Sequence, residues 1–148
     1  MANLVRITEP ASLSLHAAAL LAKQGGERIT NQEIAAVLQV SEHHLAKVMQ
    51  QLVRAGIVKS TRGPSGGFQL ARTADEITLL DLFEAVEGPL GEAECLLGGR
   101  VCDGGDCMVG ELVNTVHRQV RAYLAETNLA RLAQRFRLVS IERLAADR

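Results

Sequence analysis

Three cysteines stand in one short stretch, AECLLGGRVCDGGDCMVG, and the chain has no others. Cys95 and Cys102 enclose six residues, and Cys102 and Cys107 enclose four. Gly98, Gly99, Gly104 and Gly105 lie between them, and backbone without Cβ atoms can curl until three sulfurs face one point. Glu92, Glu94, Asp103 and Asp106 border the stretch. Thiolates gathered among those carboxylates need a cation to offset their repulsion. The spacing matches neither the paired ligands of structural zinc sites nor the common ferredoxin runs. On residue types alone three chemistries stay open: an iron–sulfur cluster, zinc, or bare redox thiols.

Such a loop needs a scaffold, and the composition says what kind. The chain has 148 residues, 47% of them apolar and only 3% aromatic, so its core must be built from Leu, Val and Ala. That mix favours packed helices, since strands are enriched in aromatic and β-branched residues. The length suits one compact domain with an appendage. No apolar run approaches the roughly 20 residues of a membrane span, and MANLVRITEP lacks the layout of a secretory signal. The expected compartment is the cytoplasm, where thiols stay reduced, and an odd cysteine count argues against a disulfide framework. The histidines are scattered, and no Ser or Cys shows a plausible base with an orienting acid, so an enzyme is not expected.

The net charge of −1 hides an uneven distribution. Residues 1–40 are balanced, 41–72 carry +4, 73–111 carry −9 and 112–148 carry +4. The 41–72 segment is the candidate for a polyanion partner.

Periodicity places the elements. Leu13, Ala17, Leu20 and Leu21 share one helical face, and Gly25 and Gly26 stop that helix. His16, among apolar neighbours, reads as a packed histidine. Thr30 and Glu33 have the form of a capping box, so a helix begins at Asn31, with Ile34, Ala35 and Leu38 as its inner face. Val40 falls in a short connection. Ser41 caps a second helix to about Arg54, with Leu45, Val48, Met49 and Leu52 as its buried stripe and Gly56 as its stop. Two capped helices joined by a tight turn form a helix-turn-helix candidate. IVKSTRGPSGGFQLAR follows as strand, glycine-rich turn and strand over 57–71, which makes a wing. Arg62 at its tip suits a narrow minor groove. Glu42, His43, His44, Lys47, Gln50, Gln51 and Arg54 supply groups for base edges and phosphates on the second helix. Thr78 caps a short helix to about Val86. Val109, Leu112, Val113, Val116, Val120, Tyr123 and Leu124 then recur over a long helix whose expected apolar partner is a second copy. His117, Arg118 and Arg121 occupy its polar side. TNLARLAQRFRLVSIERLAADR closes the chain as one or two short amphipathic pieces.

The order of helix pair, RGPSGGFQL wing, three-cysteine loop, long helix and closing TNLARL resembles the winged-helix regulators that include the iron–sulfur regulator IscR and the nitric-oxide sensor NsrR. The resemblance runs from about residue 4 to 133, and HHLAKVMQQL is closer to the NsrR branch. It implies a mainly α fold: a winged helix-turn-helix domain (1–88) with a small hairpin wing, a cysteine-rich loop (89–110), and a long dimerisation helix with a C-terminal segment (111–148). It implies a homodimer bound to near-palindromic double-stranded DNA, with no membrane and no small-molecule substrate. Cys95, Cys102 and Cys107 would hold a 2Fe–2S or 4Fe–4S cluster whose state controls operator binding. Some members add a histidine three residues after the third cysteine, where this chain has Gly110. Others use an acidic residue near the N-terminus of the partner subunit, and Glu9 in RITEP stands at the matching place, with Glu111 a poorer candidate. A plain helix-start charge is the other reading of Glu9. The DNA contacts expected are Ser41, His43, His44, Lys47 and Gln50 on the second helix and Arg62, Ser65 and Gly66 in the wing.

Overall fold

The computed structural model describes residues 6–91 and 107–137. Helix α1 (Glu9–Lys23) starts at Thr8, whose side chain accepts from the Ala11 amide, and Pro10 sits in its first turn, where no amide is needed. The α1 residues Ala11, Leu13, Ser14, Ala17, Ala18, Ala19, Leu20 and Leu21 are buried, so more than one face is covered. The alanines let neighbours approach closely: α1 packs against α2 (Asn31–Leu38), α3 (Glu42–Arg54), α4 (Leu79–Glu87) and α6 (Leu129–Arg135). Ser14, fully buried, donates to the carbonyls of Ala11 (2.8 Å) and Leu82 (3.3 Å), which leaves its hydroxyl satisfied.

The helix pair forms as its caps require. Thr30 and Glu33 make a full capping box on α2. Val37, with Ile34 and Ala35, is buried, while Leu38 is only half-buried at the edge of the core. The turn into α3 passes through Gln39 at φ 55°, a left-handed residue without the usual glycine, at a cost of about 1–2 kcal/mol. Asn31 Nδ2 donates to the Glu42 carbonyl at 2.9 Å and ties the start of α2 to the start of α3. Leu45, Val48, Met49 and Leu52 are buried, as their spacing requires.

The hairpin consists of β1 (Val58–Thr61) and β2 (Gly67–Leu70), antiparallel, with Val58 opposite Leu70 and Thr61 opposite Gly67. Ile29 adds a third line of pairing: its amide donates to the Phe68 carbonyl (3.0 Å) and the Phe68 amide returns the bond (2.8 Å). Helix α4 carries a second capping box, Thr78 with Asp81. Helix α5 (Met108–Glu126) buries only Gly110 and Val113. It ends where residues 127–129 stitch back to residues 77–79. There the Leu79 amide donates to the Thr127 carbonyl (2.9 Å) and the Leu129 amide to the Ile77 carbonyl (2.7 Å). Two helix starts, Thr78 and Asn128, therefore lie side by side as an antiparallel bridge.

Leu129, fully buried, brings α6 into the same core as α1 to α3. Half-buried His16 packs edge-on against Phe136 with ring centroids 4.9 Å apart, as a packed histidine should. Leu129→Ala is expected to lower stability by about 2–5 kcal/mol, as for other buried leucines, read from the denaturant midpoint at unchanged slope.

Candidate nucleic-acid interface and cysteine loop

The reading face is built by amphipathicity. Burying Leu45, Val48, Met49 and Leu52 turns Glu42, His43, His44, Lys47 and Gln50 into solvent, all of them exposed. Ser41 has a structural task as well, its hydroxyl accepting from the His44 amide at 3.4 Å to cap α3. Lys47 and Gln50 carry no hydrogen bond or ion pair among the described residues, so their polar ends are uncommitted. His43 and His44 lie with ring centroids 6.2 Å apart.

The wing tip has the same character. Arg62 and Ser65 are exposed, and Arg62 has no protein partner among the described residues. Glycine is required at two places there. A Cβ at Gly66 would stand 2.4 Å from the Thr61 carbonyl oxygen, and one at Gly67, where φ is 143°, would stand 2.8 Å from the Ile29 carbonyl oxygen. Gly66 thus has a backbone reason to be there, apart from any contact with DNA.

Of the cluster residues expected from the sequence, Cys95 and Cys102 lie outside the described residues. Cys107 is exposed and caps α5, its sulfur accepting from the Gly110 amide at 3.3 Å. Glu9 is exposed at the start of α1 and lines a cleft of about 450 Å³ together with Leu13, His44, Lys47, Gln51 and Arg54. It therefore stands beside α3 of the same chain. Glu111 is exposed in the first turn of α5. Among the described residues no three His, Cys, Asp or Glu side chains converge on one point.

Both ends of the cysteine loop are held. Where α4 ends, Glu84 Oε1 accepts from the Leu90 amide (3.2 Å) and from Arg121 of α5 (2.6 Å), while Arg121 also donates to the Leu90 carbonyl (3.3 Å). His117 Nδ1 lies 3.1 Å from the Gly91 carbonyl oxygen. Sequence reading placed His117 and Arg121 on a solvated face. Their acceptors are backbone carbonyls and Glu84, and no spacing rule reveals such contacts. Thr8 donates to Glu87 of α4, joining the start of α1 to the start of the loop.

With this geometry, comparison with known proteins becomes specific. Residues 7–135 match the model of Rrf2, described as an iron-dependent transcriptional regulator. The chain belongs to the Rrf2 family. Relatives of this Rrf2 chain include protein aau3 of Rhizobium meliloti, 36% identical over 66% of this chain and 63% of that one. The regulator NsrR of Geobacillus kaustophilus is 31% identical over 66% of each. The matched segment thus spans a little under two thirds of these curated relatives. Among solved structures, CymR, the global cysteine regulator of B. subtilis, superposes with a TM-score of 0.77 at 30% identity, covering 90% of this chain and 99% of that one. T. potens IscR gives 0.70 at 25% identity, covering 88% of each. The mostly helical winged-helix fold and the role of transcription regulator, not enzyme, follow from membership. No helix among the described residues is long and apolar enough to cross a membrane.

Arg62→Ala is expected to weaken binding to duplex DNA about tenfold, within the 1–3 kcal/mol of one base or groove contact. The check is fluorescence anisotropy at fixed salt, with the melting temperature unchanged because Arg62 holds nothing in the protein.

Proposed function

We propose that this Rrf2 protein is a homodimeric regulator whose affinity for its operator is set by an iron–sulfur cluster on Cys95, Cys102 and Cys107, with Glu9 of the partner subunit as fourth ligand. The observation that carries the reading is the anchoring of the cysteine loop. Its first residues are fastened to α4 and α5, its last cysteine opens α5, and the α4 end is joined through Glu87 to the turn before Glu9. A change at the loop bears on both the helix that starts beside the DNA-reading face and the helix expected to carry the dimer.

Cys107 and Glu9, the described members of the proposed ligand set, have the chemistry such a group needs. Cys107 presents an exposed sulfur with an amide N–H directed at it, the kind of hydrogen bond that tunes cluster sulfurs. Glu9 is exposed and has no hydrogen bond or ion pair among the described residues, so its carboxylate is free to ligate. When bound, a cluster would supply a centre that changes on oxidation, nitrosylation or iron loss.

Dimerisation is supported by the face of α5 that the core leaves uncovered: Met108 is 83% exposed, Tyr123 63%, and Val109 and Leu112 about half. A second copy laid along α5 would bury these side chains. Each α3 would then enter a major groove, with His43, His44 and Lys47 nearest the base edges, while Arg62 reaches the flanking minor groove. Half-sites would lie roughly 34–36 Å apart. Cluster loss would release the joint between the first helix of one subunit and the loop of the other and alter that separation. The neighbour CymR shares the fold under a description as cysteine regulator, so the cysteine loop, not the fold, carries the cluster reading.

Protein purified without oxygen is expected to be brown, absorb in the visible, and contain iron and acid-labile sulfide. Cys102→Ala is expected to lose that absorption while keeping its far-ultraviolet dichroism, and to change operator affinity by about 5–150-fold. A folded, colourless protein without iron after reconstitution would overturn the proposal, and one holding zinc would replace the cluster with a structural metal.

A further inference from the structure

The wing is a short two-stranded ribbon, and such ribbons twist freely and are marginal by themselves. Its base is secured where Phe68 pairs with Ile29 and where Ile57 and Val58 enter the core. Arg62 projects from the turn beyond the last pair, Thr61 and Gly67. Among the described residues a single hydrogen bond joins the turn 62–66 to the body of the protein: Arg28 donates from an Nη to the Ser65 carbonyl at 3.2 Å. The same guanidinium donates from Nε to Gln69 Oε1, also at 3.2 Å. Arg28 comes from the segment between α1 and α2, next to Ile29 and outside both the reading helix and the wing.

From this arrangement we infer that Arg28 is a positioning residue for the wing: its rigid fork grips the turn and β2 together and sets how far Arg62 stands from α3. Arg28 has no acidic partner among the described residues, and both acceptors that it meets are neutral. An ammonium on a flexible stem lacks the planar fork that meets both acceptors at once. The minor groove is only about 6 Å wide, so a tip displaced by a few ångströms no longer delivers its arginine. The inference rests on the DNA-reading half of the proposal and not on the cluster, whose failure would show as colourless protein with this test unaffected.

A double-mutant cycle decides it. The probe is a duplex selected by the wild-type protein from a randomised pool, with anisotropy read across a salt series. Arg28→Met is expected to weaken binding about fivefold, a typical coupling for residues acting through one element. Arg28→Lys is expected to stay within about twofold of Arg28→Met. In the Arg62→Ala background the Arg28→Met loss should shrink to less than about twofold, with the salt slope unchanged by the arginine's removal. Gln69→Leu removes one acceptor without touching charge and should show a smaller loss with the same dependence on Arg62. It decides the matter should Arg28→Met fold poorly.

An equal loss in both backgrounds, with the log–log salt slope reduced by about 0.9, would make Arg28 a direct phosphate contact and overturn the inference. Full recovery of affinity by Arg28→Lys would overturn it too, by showing that charge alone matters. So would a loss on Arg28→Met where Arg62→Ala is itself neutral.

Discussion

Helix α1 has to be covered on more than one side, and the rest of the molecule is laid out around that need. Ala11, Ala17, Ala18 and Ala19 are fully buried, and side chains so small let neighbouring helices lie close against the α1 backbone. Ser14 at the same interface satisfies its hydroxyl on the Leu82 carbonyl of α4. With α1 as common partner, α3 is fixed on one side while α4 and α6 are fixed beside it. The exposed polar face of α3 is therefore presented by a rigid body, which is what the proposed contact with base edges requires.

The same packing brings the two ends of the candidate sensor into mechanical contact. Thr8, which caps α1, bonds Glu87 at the end of α4, one residue before Gly88 and the approach to the cysteines. Farther on, Glu84 and Arg121 hold Leu90 between α4 and α5, and residues 127–129 bind α5 back to the start of α4. Helix α5 is thus fastened at its distal end, while Met108, Val109, Leu112 and Tyr123 along it stay open to solvent. A helix anchored to the core yet apolar outward is suited to pass a displacement from the loop to a second subunit.

Much of the architecture was legible because the signals are local. Thr30 with Glu33, Ser41 and Thr78 mark helix starts through bonds spanning three residues, so the partners of each bond can be read from neighbouring positions. The RGPSGG turn declares a hairpin for the same reason. Other features carry no local mark. Gln39, which caps the end of α2, adopts a left-handed conformation that its type does not favour. Arg121 reads as an ordinary surface charge, and no spacing or motif marks Arg28. Their acceptors lie 37 and 41 residues away for Arg28, and 31 and 37 for Arg121.

The amino-acid order by itself determined the helix pair, the wing, the positions of the exposed donors on α3 and the gathering of three thiols in one loop. Each of these depends on spacing along the chain, on caps, or on the turn-forming chemistry of glycine. Tertiary structure alone decided that Glu9 lies beside α3, that Leu90 is held between Glu84 of α4 and Arg121 of α5, and that α6 closes the core of α1 through Leu129. Those facts come from long-range contacts whose cost in chain entropy is met only when the whole core assembles. Residues that meet through such a core keep no fixed spacing in the sequence by which to find each other.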